Sequence, residues 1–139
     1  MKKIKLGIIG IGNMGSAHAR CVFGGECPDF ELVAVADIKP QRLEWAKSEL
    51  SPDIHCFESA EEMLDSGLIN ACMVCVPHYF HPKYAIECMR RGIHVMVEKP
   101  AGVYTKQVRE MNEEAKKHPE VVFGMMFNQR TNCIYRKMR

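Results

Sequence analysis

A glycine-rich stretch, GIIGIGNMGSAH, contains the first apolar run of the sequence and the loop after it. It places Gly10, Gly12 and Gly15 in the pattern G-x-G-x-x-G, and Asp37 follows about 20 residues later, at the end of the next apolar run. Between a strand and a helix, the first glycine permits a tight turn, the second lets a pyrophosphate approach the backbone, and the third lets the helix pack closely. The pattern predicts a dinucleotide-binding loop, and the alternative is a glycine-rich turn without a ligand. The predicted loop comprises Gly10, Ile11, Gly12, Asn13, Met14 and Gly15.

Asp37 also bears on which dinucleotide binds. An acidic side chain at the end of the second strand can accept hydrogen bonds from an adenosine ribose, and it repels a 2′-phosphate. Lys39 and Arg42 follow closely and could weaken that discrimination. The sequence therefore predicts NAD as the cofactor and leaves NADP open.

A second stretch, VMVEKPAGVYT, places two charged residues where an apolar strand should end. Burial of Glu98 and Lys99 at that point would be costly without partners. Ligands of open parallel sheets lie across the carboxyl ends of the strands. There Lys99 could donate a hydrogen bond or a proton to a substrate oxygen during hydride transfer, and Glu98 could orient or neutralise it. The alternative is a solvated pair at the start of a loop, and Pro100 at a strand exit could be cis.

The elements that would position these residues alternate along the whole chain. Apolar runs that predict strands cover residues 4–10, 31–37, 54–57, 69–77, 93–98 and 121–127. They are nearly continuously apolar, as in parallel strands covered on both faces. Helix starts are indicated by Pro40, by the capping box of Ser59 with Glu62, by Pro82 and by Thr105. This alternation predicts an α/β doubly wound parallel sheet, the Rossmann fold.

Composition limits the classes of protein that this chain can represent. Its 139 residues, 47% hydrophobic and 26% charged, predict one globular domain. The net charge is +2, and the basic residues are scattered except near the two ends, which argues against nucleic acid as a partner. No run approaches the roughly 18 apolar residues of a membrane span. We therefore expect a cytoplasmic protein. Residues 1–127 are the predicted dinucleotide-binding domain, and residues 128–139 start either a truncated second domain or a frayed terminal helix that carries Ile134 and Met138 and ends at Arg139.

The cysteines and histidines do not predict a metal site. Cys72 and Cys75 form a C-x-x-C within a predicted strand, where their odd separation points the side chains to opposite faces. Buried free thiols are therefore a better interpretation than a metal or redox pair. His94 fits a strand entrance, and His18, His55 and His118 fit surface or packing positions.

In this order, the motifs resemble the glucose-fructose oxidoreductase, inositol dehydrogenase and rhizopine-catabolism (Gfo/Idh/MocA) family of NAD(P)-dependent oxidoreductases. The resemblance covers nearly the whole chain through GIGNMG, VAVAD, VPHYFHPKYAIECMRRGIHVMVEKP and FNQR. Its most specific part is the long middle block. There a strand-ending proline, a histidine four residues later, a helix, Gly-x-His-Val and Glu-Lys-Pro follow one another.

The resemblance implies roles for individual residues. Lys99 would be the active-site lysine that contacts substrate, and Arg130 matches an arginine often found just before the second domain. The family often has asparagine where this chain has His78, so an amide contact to the cofactor does not carry over to that position. The implied cofactor-binding residues, with their loop neighbours, are Gly10, Ile11, Gly12, Asn13, Met14, Gly15, Asp37, Pro77, His78, His81, Glu98 and Lys99.

The resemblance also implies a whole enzyme larger than this chain. A second α+β domain, absent here, would cover the substrate and supply an Asp and His pair. The full-length homo-oligomer would move a hydride between nicotinamide and a sugar, polyol or related small hydroxylated substrate, and the isolated chain would bind cofactor but catalyse little. The alternatives are a non-catalytic dinucleotide sensor or regulatory subunit on the same fold, and an S-adenosylmethionine methyltransferase, which Gly15 and the Glu-Lys-Pro block disfavour.

Overall fold

The computed structural model describes residues 3–138, which form six strands and six α-helices. Met1, Lys2 and Arg139, including the predicted end of the last helix, lie outside the described residues. The strands are β1 (Ile4–Ile9), β2 (Phe30–Ala36), β3 (His55–Phe57), β4 (Ala71–Val74), β5 (His94–Glu98) and β6 (Phe123–Met126). The helices are α1 (Asn13–Phe23), α2 (Pro40–Glu49), α3 (Ala60–Asp65), α4 (His81–Arg90), α5 (Thr105–Lys117) and α6 (Cys133–Lys137), with 3₁₀ turns at His78–Phe80 and Asn128–Arg130.

The strands form one sheet in the order β3-β2-β1-β4-β5-β6, and every neighbouring pair is parallel. The chain builds outward from β1 to β3, then returns to place β4 beside β1 and builds outward on the other side. The strand order therefore reverses between β1 and β4. This arrangement confirms the predicted doubly wound sheet, and its crevice lies at the carboxyl ends of β1 and β4.

Both faces of the sheet are covered by apolar side chains. Ile8 packs into one buried cluster with Val35, and Ile9 packs into the other cluster with Val74. This explains why the strands read as nearly continuous apolar runs. Cys72 belongs to one cluster and Cys75 packs against the other, so the two thiols of the C-x-x-C lie on opposite faces, as the strand periodicity predicts.

The ends of several elements differ from their predicted positions. The ladder hydrogen bonds of β4 continue to Cys75, whose N–H donates to the Ile9 carbonyl at 2.8 Å, but Pro77 has no N–H with which to extend them. At α3 the predicted cap is present, because the Ser59 hydroxyl accepts the Glu62 N–H at 3.3 Å. At α5 the predicted cap is wrong: Tyr104 is the last extended residue, and Thr105 is already helical.

The C-terminal segment is less regular than the predicted helix. After β6 the chain makes a 3₁₀ turn before α6 begins, and the Asn132 side chain caps α6 by accepting the Ile134 N–H at 2.9 Å. Ile134 and Met138 are 65% and 76% exposed. Within residues 3–138, no helix combines the length and apolar character needed to span a membrane.

Candidate dinucleotide-binding site

A cavity of about 490 Å³ opens at the carboxyl ends of β1, β2 and β4, beside the point where the strand order reverses. Its wall includes Gly10 and Gly12 from the predicted loop, Asp37 after β2, and Cys75 and Pro77 after β4. A cleft lined mostly by apolar groups, with a few polar groups at fixed positions, is the usual form of a small-ligand site. The apolar part of the wall includes Ile9, Ala36, Ile38, Val76, Phe80 and Tyr84.

The three glycines of the loop occupy sterically different positions. Gly10 has a φ of 84°, and a Cβ there would lie 2.9 Å from the Cys75 carbonyl oxygen. A Cβ on Gly15 would lie 1.9 Å from the Gly10 carbonyl oxygen, so α1 can approach the loop only because residue 15 has no side chain. At Gly12 no atom lies within 4 Å of the Cβ position. The Cβ positions of Gly10 and Gly15 are thus blocked by backbone atoms, whereas the space beside Gly12, here called the cradle, is open. This cradle fits a phosphate group that approaches the Gly12 backbone.

The amino end of α1 is also suited to an anion. No side chain caps the helix at Gly12, and its first turn contains no acidic residue. The first N–H groups of a helix have no partner within the helix, and its dipole favours negative charge there. The loop and the helix start can therefore hold a pyrophosphate without any basic side chain.

The carboxylate of Asp37 holds the glycine-rich loop in place. Its Oδ2 accepts the Ile11 N–H at 2.9 Å, and its Oδ1 accepts the Lys39 N–H at 2.9 Å. A carboxylate can accept about four hydrogen bonds, so both oxygens can still accept from ribose hydroxyls. Asp37 thus orders the loop as well as bordering the cavity, and Lys39 and Arg42 line the same edge with the opposite charge.

Three predicted residues are exposed at the ends of β4 and β5. Pro77 and His78 follow β4, and Lys99 follows β5. The Lys99–Pro100 peptide bond is cis, as the sequence suggested. Because the strand order places β4 and β5 on the side of the switch point away from Asp37, these residues border the second half of the crevice.

His81 is buried between the two strand exits. The residue is 1% exposed, its Nδ1 lies 2.7 Å from the Pro100 carbonyl oxygen, and its Nε2 lies 2.8 Å from the Val76 carbonyl oxygen. Both ring nitrogens are therefore occupied by backbone groups. His81 therefore fixes the backbone of the two strand exits and has no free ring nitrogen to offer a ligand.

Glu98 is the buried carboxylate at the end of β5, and it has two partners. The residue is 5% exposed, its Oε1 lies 2.6 Å from Nε2 of His18, and its Oε2 accepts the Lys99 N–H at 3.1 Å. These contacts satisfy a group that would otherwise be costly to bury. The sequence predicted that Glu98 orients or neutralises Lys99, and in the structure Glu98 contacts Lys99 through the backbone N–H and not through the ammonium group. His18, which the sequence assigned to a surface or packing position, is 20% exposed and pairs with this carboxylate.

The thiol of Cys75 lies close to the same carboxylate. Burial and, secondarily, the negative charge of Glu98 raise the pKa of Cys75 to about 12. The Cys75 Cβ also lies 3.3 Å from the position that a Cβ on Gly15 would take. The start of α1 and the exits of β4 and β5 thus converge around Glu98.

Residues 4–125 match the model of the Gfo/Idh/MocA oxidoreductase family, described by its NAD-binding Rossmann fold. The match extends over most of the chain and includes the glycine-rich loop and the Glu-Lys-Pro segment. The chain belongs to this oxidoreductase family.

Curated relatives match nearly the whole of this chain but only part of their own length. Myo-inositol 2-dehydrogenase of Thermotoga maritima is 28% identical over 136 residues, which is 98% of this chain and 40% of that protein. The rhizopine catabolism protein MocA of Rhizobium meliloti is 29% identical over 119 residues, which is 85% of this chain and 36% of that protein. The chain therefore spans about 40% of the length of these relatives.

Solved structures of family members superimpose closely on the chain. Myo-inositol 2-dehydrogenase from Lactobacillus plantarum is 34% identical with a TM-score of 0.93, over 99% of this chain and 40% of that one. Scyllo-inositol dehydrogenase from Lactobacillus casei, with bound NAD(H) and scyllo-inositol, is 29% identical with the same TM-score and the same coverage. The expected family, fold and NAD-binding class are confirmed, and the roles of single residues stay predictions.

Sequence reasoning missed several residues of the candidate site. Ile38, Phe80 and Tyr84 line the cavity, and His18 pairs with Glu98. His18 stands three residues after Gly15, and residues at that spacing share a helix face, so its side of α1 could have been inferred.

The seven cysteines are free thiols, and among residues 3–138 no group of three or more His, Cys, Asp and Glu side chains has the arrangement of a metal site.

Proposed function

We propose that this chain is the dinucleotide-binding part of an NAD(P)-dependent oxidoreductase acting on a hydroxyl group of a sugar, polyol or related small hydroxylated compound. The observation that carries the proposal is the cradle at Gly12, open between the closed positions of Gly10 and Gly15 at the mouth of a cavity that Asp37 borders. The inositol dehydrogenases among the relatives support the substrate class.

The site residues divide between the two halves of a bound dinucleotide. The loop from Gly10 to Gly15 and the amino end of α1 bind the pyrophosphate, and Asp37 binds the adenosine ribose. Pro77, His78 and Lys99 border the nicotinamide, while His81 and Glu98 hold those segments from behind. The remaining loop residues, Ile11, Asn13 and Met14, shape the turn and present its backbone.

NAD, when bound, supplies the hydride acceptor or donor. The chemistry that the protein itself supplies is assigned to Lys99. Its exposed position at the end of β5 suits an ammonium group that donates a hydrogen bond or a proton to the substrate oxygen.

The proposal extends to the whole protein. Residues 1–127 form the dinucleotide-binding domain and residues 128–139 begin the substrate domain, so the isolated chain binds cofactor but turns over little substrate. The exposed Ile134 and Met138 support packing of α6 against a further surface. Seven free thiols support a reducing compartment, for which we propose the cytoplasm, and we propose a homo-oligomer for the full-length enzyme.

Isothermal titration of this chain with NAD and with NADP at one salt concentration tests the proposal. We expect NAD to bind more tightly by about tenfold, a difference of about 1.4 kcal/mol. Asp37→Asn keeps one oxygen acceptor for the loop but removes the charge, so the preference for NAD should shrink. Asp37→Ala also removes the hydrogen bonds to Ile11 and Lys39, so affinity for both cofactors should fall.

Asp29→Asn is the matched control, because Asp29 is exposed just before the opposite end of the same strand, β2. This variant should bind both cofactors as the wild type does. Failure of the folded wild-type chain to bind either dinucleotide, with folding verified by circular dichroism, would contradict the proposal.

A further inference from the structure

The pair of His18 and Glu98 joins two parts of the crevice that lie far apart in the sequence. His18 is on α1, whose amino end faces the predicted pyrophosphate site, and Glu98 ends β5 directly before Lys99. The imidazole Nε2 and the carboxylate Oε1 are 2.6 Å apart, and the side chains are 20% and 7% exposed. The contact is therefore short and largely shielded from water.

The same carboxylate also contacts the peptide of Lys99, the residue proposed to act on the substrate. Its second oxygen accepts the backbone N–H of Lys99, so one hydrogen-bonded chain runs from α1 through Glu98 to the peptide of Lys99. A buried carboxylate that loses a partner retains its desolvation cost, so it relaxes toward solvent or recruits water. Either change would move the peptide that carries Lys99.

We propose that His18 is a positioning residue that couples the pyrophosphate-binding helix to the end of β5 and thereby sets the affinity of the nicotinamide half of the site. The inference rests on the proposed function. It adds that His18, which lies outside the glycine motif, controls the affinity for the nicotinamide half of the dinucleotide and leaves the affinity for the ADP-ribose half unchanged. The convergence of α1, β4 and β5 on this carboxylate supports the coupling, because Cys75 and Gly15 leave little room for the helix to shift alone.

The affinities of His18 variants for two ligands, NAD and ADP-ribose, distinguish a positioning role from a purely structural contact. ADP-ribose contains the adenosine and pyrophosphate parts of NAD and lacks the nicotinamide. A general loss of folding would weaken both ligands by the same factor, whereas loss of positioning at β5 would weaken NAD alone. Both ligands should be titrated calorimetrically into the wild type, His18→Leu and His18→Gln, with a thermal melt of each protein.

We expect His18→Leu to weaken NAD by about tenfold, the usual scale for a hydrogen bond to a charged group, with ADP-ribose within about twofold of the wild type. The amide nitrogen of glutamine can take the place of imidazole Nε2, so His18→Gln should restore NAD affinity to within about threefold. If His18→Leu does not fold, His18→Asn replaces it, since the shorter amide is polar but does not reach Glu98.

His118, which directly follows α5, offers a matched control away from the glycine-rich loop. Its Nε2 lies 3.5 Å from Oε1 of Glu114, and its side chain is 24% exposed, close to the value for His18. His118→Leu should leave both affinities unchanged. Equal losses for NAD and ADP-ribose in His18→Leu, or no loss for NAD, would overturn the inference while leaving the proposed function intact. A wild-type chain that binds neither ligand would instead overturn the proposed function, and the inference with it.

Discussion

The carbonyl oxygen of Gly10 lies 1.9 Å from the point that a Cβ on Gly15 would occupy. No rotation of a side chain can relieve such an overlap, because the obstructing atom belongs to the backbone. The position of Gly12 is the opposite case, with no atom within 4 Å of its Cβ direction. The same chemical change at these two glycines should therefore act on different properties of the protein.

We predict that Gly15→Ala lowers the free energy of unfolding by about 1–3 kcal/mol, the scale of overpacking in a filled interior. Gly12→Ala should change it by less than about 0.5 kcal/mol but weaken NAD binding by about tenfold or more, because its methyl group enters the cradle. Urea denaturation and calorimetric titration measure the two effects. Equal destabilisation by both variants, or wild-type NAD affinity in Gly12→Ala, would contradict the assignment of the cradle.

Replacement of Lys99 tests whether the full-length protein uses it in catalysis. We predict that Lys99→Met lowers kcat by about 10²–10⁴, the usual contribution of a positioned acid or base, while NAD affinity stays within about threefold. Steady-state kinetics with inositol isomers and simple sugars, together with titration of NAD, measure the split. Lys106→Met is the control, because Lys106 is an exposed residue of α5 whose side chain is 87% exposed.

The Lys99 experiment also addresses the alternative of a sensor. A wild-type protein that binds NAD but oxidises none of these compounds would favour a non-catalytic role. Equal kcat values for the wild type and Lys99→Met would remove Lys99 from the chemistry and leave its neighbours to be tested.

The parts of the site that the sequence predicted are local. The roles of the three loop glycines, Gly10, Gly12 and Gly15, depend on backbone geometry within one turn. The position of Asp37 follows from the length of one strand-helix-strand unit. The doubly wound parallel sheet was predicted from the alternating strand and helix patterns and from the handedness of crossovers. Such features depend on neighbours in sequence, so a single sequence contains them.

The parts that could not be predicted depend on how separate elements pack. His18 and Glu98 are 80 residues apart, and their contact needs both the placement of α1 on the sheet and the register of β5. The two carbonyl partners of His81 come from two different strand exits, so its burial could not be predicted from the sequence either. The cap of α5 was missed by one residue, because Tyr104 continues the extended chain to the start of the helix.

Glu114 should give the protein an acid-sensitive contribution to stability. The Glu114 carboxylate accepts hydrogen bonds from Nε of Arg90 at 2.9 Å and from Nζ of Lys117 at 3.0 Å. These contacts, with Arg90 the larger cause, lower the pKa of Glu114 from 4.5 to about 2. Because the folded-state pKa lies below the unfolded value, the contribution is fully present above pH 4.5 and is lost as the pH falls toward 2.

We therefore predict that Glu114→Gln is less stable than the wild type above pH 4.5 and that the difference shrinks as the pH falls toward 2. Urea denaturation across this range measures the difference directly. The control is Glu110→Gln, since the Glu110 carboxylate is 55% exposed and lies 4.0 Å from the Lys106 ammonium. Its difference from the wild type should be small and flat with pH. A difference for Glu114→Gln that does not vary with pH would contradict the prediction.

The thiols of the chain should react at very different rates with an alkylating reagent. Cys133 is exposed on α6, whereas burial and the charge of Glu98 raise the pKa of Cys75 to about 12. Because the thiolate is the nucleophile, iodoacetamide at pH 8 should modify Cys133 at least about a hundredfold faster than Cys75. A time course followed by peptide mass spectrometry measures both rates, and the denatured chain, in which both thiols are accessible, provides the control. Comparable rates in the folded chain would show that Cys75 is not packed against the start of α1, and would remove one support for the convergence of α1, β4 and β5 around Glu98.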